Sequence, residues 1–173
     1  MYNPTHLYHG QAGGLSKKPS ITWQHQLPNG ITELAGFDGV VYLATGASIV
    51  AMEADGSLRW QYETDDYVSS RPTVADGIVY CGSNDGKLYA IDAETGHKQW
   101  CYTTGKEVRS SPAVDNGTVY FGSKDNYVYA VAADGGSKEW AFKTYTHVTS
   151  SPAVVDGTVY IGSNDTYLYA LDA

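Results

Sequence analysis

The chain has 173 residues, of which 42% are hydrophobic and 17% are charged, a composition typical of a globular protein. Eleven basic and nineteen acidic residues give a net charge of −8, spread along the chain without a basic stripe. No apolar run is long enough to span a bilayer. The sequence therefore predicts neither a nucleic-acid partner nor insertion into a membrane.

Residues 1–19 are interpreted as a leader or edge segment, and no signal peptide is visible in them, because they lack a basic head followed by an apolar stretch. His6 and His9 are close in sequence but have no third ligand in view, so no metal site is predicted there. The compartment is left open by the sequence. It is the cytoplasm if Met1 is the native start, and the periplasm or the extracellular space if the chain is a processed or excised fragment.

The rest of the chain, residues 20–173, is built from repeats. The stretches that begin at Ser110 and Ser150 agree at 16 of 24 positions. Three prolines, three glycines and three tryptophans each recur at intervals of 40 residues: Pro72, Pro112 and Pro152; Gly82, Gly122 and Gly162; Trp60, Trp100 and Trp140. A period of this length is typical of repeat architectures such as solenoids and propellers.

In chain order, the repeat divides this region into one strand and four units. The strand covers 20–28, and the units cover 29–64, 65–104, 105–144 and 145–173. Inside one complete unit, four short runs rich in Val, Ile, Tyr and Thr alternate with turn residues: RPTVA, IVYCGS, KLYAID and HKQWCYT. The pattern predicts an all-β fold, a β-propeller of four-stranded antiparallel blades with four blades per chain.

The last unit stops after its third strand. The segment SITWQHQL near the start of the chain is a strand without a unit of its own, and it carries Trp23 at the position that Trp60 holds in the next unit. An unpaired sheet edge loses hydrogen bonds and invites aggregation. We therefore expect residues 20–28 to close the last blade as its fourth strand, in the same chain or in a second copy.

One segment of the repeat matches the sequence motif of a known repeat family. AIDAETGHKQW, from Ala90 to Trp100, matches the motif Ala-x-Asp-Ala-x-Thr-Gly, three residues, then Trp. Residues 20–173 therefore resemble the PQQ-like β-propeller family. That family contains quinoprotein alcohol dehydrogenases and the lipoprotein scaffold of the bacterial outer-membrane assembly machine, and the chain resembles the non-catalytic scaffold more closely. The resemblance implies that four tryptophans dock each blade against the next: Trp23, Trp60, Trp100 and Trp140.

The resemblance also suggests a quinone-dependent dehydrogenase, which the residues argue against. Such enzymes need a calcium or lanthanide site, a catalytic Asp and, usually, a vicinal disulfide and a Trp beneath the cofactor. Cys81 and Cys101 are not adjacent, and Cys81 occupies a position that is Phe121 in the next unit, so we expect Cys81 to be a small buried hydrophobic residue. No catalytic residue, cofactor-binding residue or metal ligand is predicted, and the protein is expected not to be an enzyme.

The segments that link one unit to the next differ most between units and offer the candidate site. By analogy with other propellers, these linkers lie on one face around the central channel. Tyrosine and arginine there favour recognition of a protein or peptide partner. The candidate interaction face comprises Asp65, Asp66, Tyr67, Arg71, Lys106, Glu107, Arg109, Tyr145 and His147.

Family members usually form rings of seven or eight blades, whereas this chain supplies four. A homodimer in which each first strand completes the partner's last blade would give an eight-bladed ring with closed symmetry. A lone four-bladed ring and a fragment of a longer propeller are the alternatives. The predicted function is a non-catalytic protein-interaction or scaffold module. A small-ligand or glycan sensor and a truncated or engineered repeat array are the other candidates.

Overall fold

The computed structural model describes residues 20–173. The leader or edge segment assigned to residues 1–19, with its two histidines, lies outside this range. The described residues form antiparallel strands, and no helix among them is long and apolar enough to cross a membrane. The strands are β1 (Ile31–Phe37), β2 (Val40–Thr45), β3 (Ser48–Glu53), β4 (Leu58–Glu63), β5 (Thr73–Ala75), β6 (Ile78–Gly82), β7 (Lys87–Asp92), β8 (Lys98–Thr103), β9 (Ala113–Asp115), β10 (Thr118–Gly122), β11 (Tyr127–Ala132), β12 (Lys138–Lys143), β13 (Ala153–Val155), β14 (Thr158–Gly162) and β15 (Leu168–Asp172).

The strands group into four sheets in sequence order. The sheets are β1-β2-β3-β4, β5-β6-β7-β8, β9-β10-β11-β12 and β13-β14-β15, which we call blades 1 to 4. Every pairing is antiparallel between strands that follow each other in the chain. The all-β propeller fold with four blades in the chain is thereby confirmed.

Tight turns close the first hairpin of every blade. The turn of blade 2 is Asp76–Gly77, with φ of 49° and 75°, and that of blade 3 is Asn116–Gly117, with φ of 47° and 79°. Two successive residues with positive φ match the right-handed twist of the flanking strands, and Asp-Gly and Asn-Gly adopt this conformation at little cost. The turn residues thus set the register of each hairpin.

The hydrophobic core lies between blades. Leu88 and Ala90 on one face of blade 2 pack in the same cluster as Phe121 and Val131 of blade 3. Equivalent clusters join blade 1 to blade 2 and blade 3 to blade 4. The innermost strands contact one another in the order β1–β5, β5–β9 and β9–β13. Each blade is therefore stabilised mainly by its neighbours.

The expectation that residues 20–28 close blade 4 of their own chain is wrong. Residues 20–30 form no strand, and within the described part of the chain β15 pairs only with β14, so residues 20–28 do not close the last blade of their own chain. The segment is held at the opposite end, where Trp23 Nε1 donates a hydrogen bond to the carbonyl of Ala54 in blade 1. Closure by residues 20–28 remains a prediction for an assembly of two chains.

Candidate interaction face

Each linker between blades begins with a threonine that shapes the turn behind it. The Oγ1 atom of Thr64 donates to the carbonyl of Asp66 at 2.7 Å, and Thr104 makes the same bond to Lys106 at 2.6 Å. Thr144 repeats it with Thr146 at 2.6 Å. A side chain that bonds its own backbone two residues later favours a turn over continued strand. The threonine therefore ends the outer strand and turns the chain toward the next blade.

A buried valine then fixes each linker between two blades. Val108 is fully buried, and its N–H donates to the carbonyl of Ser83 in blade 2. The carbonyl of the preceding residue, Glu107, accepts from the N–H of Lys124 in blade 3. Val68 and Val148 are buried in the same way and repeat this double attachment. The backbone of the face is thus bonded on both sides, and its side chains project from a fixed frame.

A repeated aspartate joins each linker to the following blade. Asp85 Oδ2 accepts from Tyr89 O–H at 2.6 Å and from the N–H of Asp65 in the linker at 3.2 Å, while Oδ1 accepts from the N–H of Lys87 at 2.9 Å. The same bonds recur at Asp125 with Tyr129, Gly105 and Tyr127, and at Asp165 with Tyr169, Tyr145 and Tyr167. Burial and then the hydrogen bond to the carboxylate raise the pKa values of Tyr89 and Tyr129. These phenols remain neutral donors at neutral pH.

The structure places all nine predicted face residues on the linkers. Seven are exposed: Asp65, Asp66, Tyr67, Arg71, Lys106, Arg109 and Tyr145. Glu107 and His147 are half-buried. The linkers attach to the hairpin loops between the second and third strands of the blades, at Asn84, Lys124 and Asn164, so these residues lie along the same edge of the sheets. Whether that edge is a binding site stays a prediction.

Charge pairs and hydrogen bonds fix several of these side chains. Lys124 Nζ lies 3.0 Å from Glu107 Oε1, and this bond holds the pKa of Glu107 below its ordinary value. Lys87 pairs with Asp65 and lowers the pKa of that carboxyl in the same way. His147 Nδ1 lies 3.0 Å from Asn126 Oδ1. The acidic members of the face are therefore partly neutralised, while Arg71, Lys106 and Tyr145 extend into solvent.

Arg71 belongs to a second feature, a central cavity of about 380 Å³ between the inner strands. Its backbone N–H donates to Ser111 Oγ at 2.9 Å, and the N–H of Ser111 donates to Ser151 Oγ at 3.1 Å. Phe37 of blade 1 lines the same space. The serines of the Ser-Ser-Pro repeats thus link the inner strands of neighbouring blades.

Trp60, Trp100 and Trp140 lie between successive blades, and Trp23 lies against blade 1. Trp60 Nε1 in blade 1 donates to the carbonyl of Ala93 in blade 2 at 2.9 Å, and its ring covers Gly96, where a Cβ would lie 2.7 Å from the indole. The same two contacts join Trp23 to Ala54 and Gly56, and Trp100 to Ala133 and Gly136. These contacts are what the docking role requires. The role itself stays a prediction, because it is a claim about stability.

The two cysteines lie in different environments. Cys81 is buried, and desolvation raises the pKa of its thiol to about 12, whereas Cys101 is exposed. Within residues 20–173, no three His, Cys, Asp or Glu side chains are grouped to hold a metal ion.

Four antiparallel blades with an indole contact between successive blades define a protein of the β-propeller repeat class. A family model described as "Outer membrane protein assembly factor BamB" matches residues 16–108 and again 103–173. The chain belongs to this family, and the predicted resemblance to PQQ-like propellers is confirmed.

Solved structures show the same fold. BamB from Moraxella catarrhalis is 25% identical, with a TM-score of 0.78 over 88% of this chain and 50% of that one. The quinohemoprotein alcohol dehydrogenase ADHIIG from Pseudomonas putida HK5 is 25% identical, with a TM-score of 0.70 over 82% of this chain and 29% of that one. A curated relative, the serine/threonine-protein kinase AfsK of Streptomyces griseus, is 38% identical over 66 residues, which are 34% of this chain and 8% of the kinase. The chain thus spans half of the BamB chain and a small part of the other two.

Proposed function

We propose that this protein is a non-catalytic interaction module that binds a protein partner through its linker face. The observation that carries the proposal is the double attachment of each linker, with Val108 N–H bonded to one blade and the Glu107 carbonyl to the next. Binding sites on fixed backbone lose less conformational entropy on association than sites on free loops. The face offers exposed Tyr67, Tyr145 and Arg109 on this frame.

The chemistry of these side chains suits a protein partner. Tyrosine and arginine are enriched among the residues that dominate protein–protein binding energy, because they combine large contact area with hydrogen bonding. Tyr67 and Tyr145 are among the large hydrophobic side chains that the chain leaves exposed. The family description, an outer membrane protein assembly factor, supports a role in contacts between proteins.

Within residues 20–173, no three His, Cys, Asp or Glu side chains are grouped to hold the metal ion that a quinone cofactor needs. The rings of Trp23, Trp60 and Trp100 lie against glycines of the neighbouring blade, so none of these indoles has that face free beneath a cofactor. The likeness to a quinohemoprotein dehydrogenase covers 29% of that enzyme. We therefore propose no redox step, and an alcohol-oxidising activity of the chain with added PQQ and calcium would contradict this part of the proposal.

We further propose that the functional unit is a homodimer with eight blades. Each copy supplies four blades and an incomplete last sheet. Two copies related by a twofold axis would place two linker faces on one ring.

The binding role is tested with a face variant and a matched control. The face variant combines Tyr67→Ala, Arg109→Ala and Tyr145→Ala, and the control combines Lys98→Ala, Gln99→Ala and Lys138→Ala on the exposed outer strands. A partner is captured with the wild-type chain, purified, and titrated against all three proteins. Because truncation of a dominant interface side chain weakens binding by about tenfold or more, we expect a Kd increase of that size for the face variant and no change for the control.

Equal binding by the face variant and the wild type would contradict the assignment of the face. Thermal-shift screening with sugars tests the sensor alternative, since a ligand at about 100 times its Kd stabilises by about 2.7 kcal/mol. A sugar that stabilises the chain, together with failure to bind any protein, would replace the interaction module with a sensor.

A further inference from the structure

The first described segment follows the path of a linker that leaves an earlier blade, although no blade precedes blade 1 within residues 20–173. Trp23 Nε1 donates to the carbonyl of Ala54 at 2.8 Å, just as Trp60 does to Ala93 at 2.9 Å. Further along, the carbonyl of Asn29 accepts from Thr45 Oγ1 at 3.0 Å, the bond that Ser83 Oγ makes to Asp66 at 3.0 Å. Residues 23–29 are thus placed as the end of an outer strand that belongs to a neighbouring sheet.

The last blade lacks such an outer strand and leaves one face uncovered. Tyr160 in β14 is 41% exposed, whereas Tyr80 and Tyr120 at the same position of blades 2 and 3 are each 2% exposed. Leu168 in β15 is 74% exposed, whereas Leu88 in β7 is fully buried. In blades 1, 2 and 3 the equivalent face packs on the next blade. The exposed face of blade 4 therefore has a shape that fits another blade of the same kind.

The exposure of the inner strands indicates that residues 20–173 do not cover this face themselves. β5 and β9 are half-buried at every residue, whereas β1 and β13 at the two ends are exposed at most of theirs. In a closed four-bladed ring, all four inner strands would have a neighbour on both sides. β1 and β13 of two copies can therefore cover each other, whereas the face of blade 1 that carries Leu43, Val50 and Met52 is already buried, with Leu27 packed against it.

We propose that residues 20–28 of a second copy form the fourth strand of blade 4 on β15, and that the two copies exchange this strand reciprocally. The proposal rests on the homodimer of the proposed function and names its junction. Exchange about a twofold axis adds the missing fourth strand to blade 4 of both copies.

The repeat fixes the register of this pairing. In blade 2, Leu88 of β7 pairs with Tyr102 of β8, and Ala90 pairs with Trp100. The equivalent pairs at the junction are Leu168 with His25 and Ala170 with Trp23 of the second copy. In blade 2 the rings of Tyr80 and Trp100 lie 5.8 Å apart, so the same register brings the indole of Trp23 beside Tyr160 and covers it.

A second contact supports this register. The side chain of Val148 fills the space above Gly122, where a Cβ would lie 2.3 Å from Val148 Cγ1. The equivalent glycine of blade 4, Gly162, meets only Ser150 at 3.4 Å, and the residue equivalent to Val148 in the first linker, Ile31, is 52% exposed. Ile31 of the second copy therefore fits on Gly162 in the same assembly.

Cysteine cross-linking tests the exchange and its register. In a Cys101→Ser background, which removes the exposed native thiol, the pair His25→Cys and Leu168→Cys is placed at directly opposed positions. The control pair, Gln24→Cys and Leu168→Cys, differs by one residue, which turns the first side chain to the other face of the strand. We expect mild oxidation of the full chain to give a covalent dimer of about twice 18.7 kDa for the first pair and monomer for the control.

Three results would overturn the proposal. An oxidised monomer without free thiols at these positions would show that residues 20–28 close the ring of their own chain. No cross-link in either pair, or equal cross-linking in both, would remove the junction or its register. None of these results contradicts the interaction function if the chain still binds its partner through the face. Conversely, if the cross-linked dimer forms but the face variant binds the partner as tightly as the wild type, the interaction function is contradicted and the strand exchange is not.

Discussion

Blades 3 and 4 have nearly the same sequence but different surroundings. Tyr120 and Val128 are buried against blade 4, whereas Tyr160 and Leu168 at the same positions have no blade beside them and are exposed. The comparison shows that this face of a blade is buried by the next blade along the chain and not by the blade's own strands. The same substitution should therefore have a large effect in an inner blade and a small one at the end of the chain.

The tryptophans should give the largest difference. Truncating a buried tryptophan destabilises a protein by about 3–5 kcal/mol, and for the half-buried Trp100 we expect Trp100→Ala to cost about 3 kcal/mol, because its ring is held by Ala133 and Gly136. The position equivalent to Ala133 is Ala173, and no hydrogen bond joins it to Trp140. Trp140→Ala should therefore lower the free energy of unfolding by about half as much or less. Urea denaturation measures the free energy of unfolding of both variants. Equal losses would contradict the claim that the next blade stabilises the tryptophan.

The glycines beneath the linkers sharpen the same contrast. In Gly122→Ala the new Cβ would collide with Val148, and such overpacking costs about 1–3 kcal/mol. In Gly162→Ala it would meet only Ser150 at an ordinary contact distance of 3.4 Å. At concentrations where the chain is monomeric, the free energy of unfolding should fall for the first variant and stay within about 0.5 kcal/mol for the second.

In the proposed dimer, Gly162 lies beneath Ile31 of the second copy. Gly162→Ala should therefore reduce the fraction of dimer although it leaves the folded monomer unchanged. Sedimentation at several concentrations measures this fraction, and a variant that dimerises as well as the wild type would contradict the contact.

The tyrosine–aspartate bonds should show a smaller difference. Tyr129→Phe removes a hydrogen bond of 2.7 Å to the Asp125 carboxylate, and bonds to charged groups contribute about 1.5–3 kcal/mol. Tyr169→Phe removes the same bond in blade 4, where solvent reaches the pair, so its loss should be smaller. Denaturation midpoints compare the two variants, and a larger loss for Tyr169→Phe would reverse the expected order.

The pH dependence of stability should give the smallest effect. Desolvation acts to raise the pKa of Asp165, but the hydrogen bonds from Tyr169 and from the N–H groups of Tyr167 and Tyr145 outweigh it, and the pKa is lowered. A carboxyl group whose folded-state pKa is lowered adds stability above its unfolded pKa of about 3.9, and this stability is lost as the pH falls through the folded value.

Asp165→Asn should therefore flatten the decline of stability below about pH 5. Partial burial and the bond to Asp165 raise the pKa of Tyr169 to about 12. The stability that this bond contributes is therefore fully present below the ordinary tyrosine pKa of 10.0 and is lost as the pH rises toward 12. Urea midpoints of the wild type and of Asp165→Asn between pH 3 and 7 provide the measurement. Parallel curves would show that Asp165 does not contribute.

The repeat made the blades predictable from sequence. Strand-forming residues and turn residues alternate within 40 residues, and each strand pairs with the next in the chain, so local pattern is sufficient. Buried positions were also predictable where the repeat keeps them apolar, as at Cys81 and Phe121. Long-range pairing was not predictable in this way: residues 20–28 carry a strand pattern but pair with no strand within residues 20–173.

The contacts of Asp85, Asp125 and Asp165 were not predicted from sequence, because each Asp lies in a short polar segment between strands that is sufficiently explained as a turn. The additional signal was the spacing of Asp85 to Tyr89, which recurs in the next two units. Blade 1 has a shortened turn without this Asp and has Val50 at the tyrosine position. The joint loss of the two residues in one unit indicates that they act as a pair, and comparison of the units can detect it.

The mass of the native chain in solution tests the central claim most directly. In the proposed dimer each copy supplies the fourth strand of the other copy's blade 4, so light scattering at micromolar concentration should give about twice 18.7 kDa. A single species of 18.7 kDa at that concentration would contradict the account.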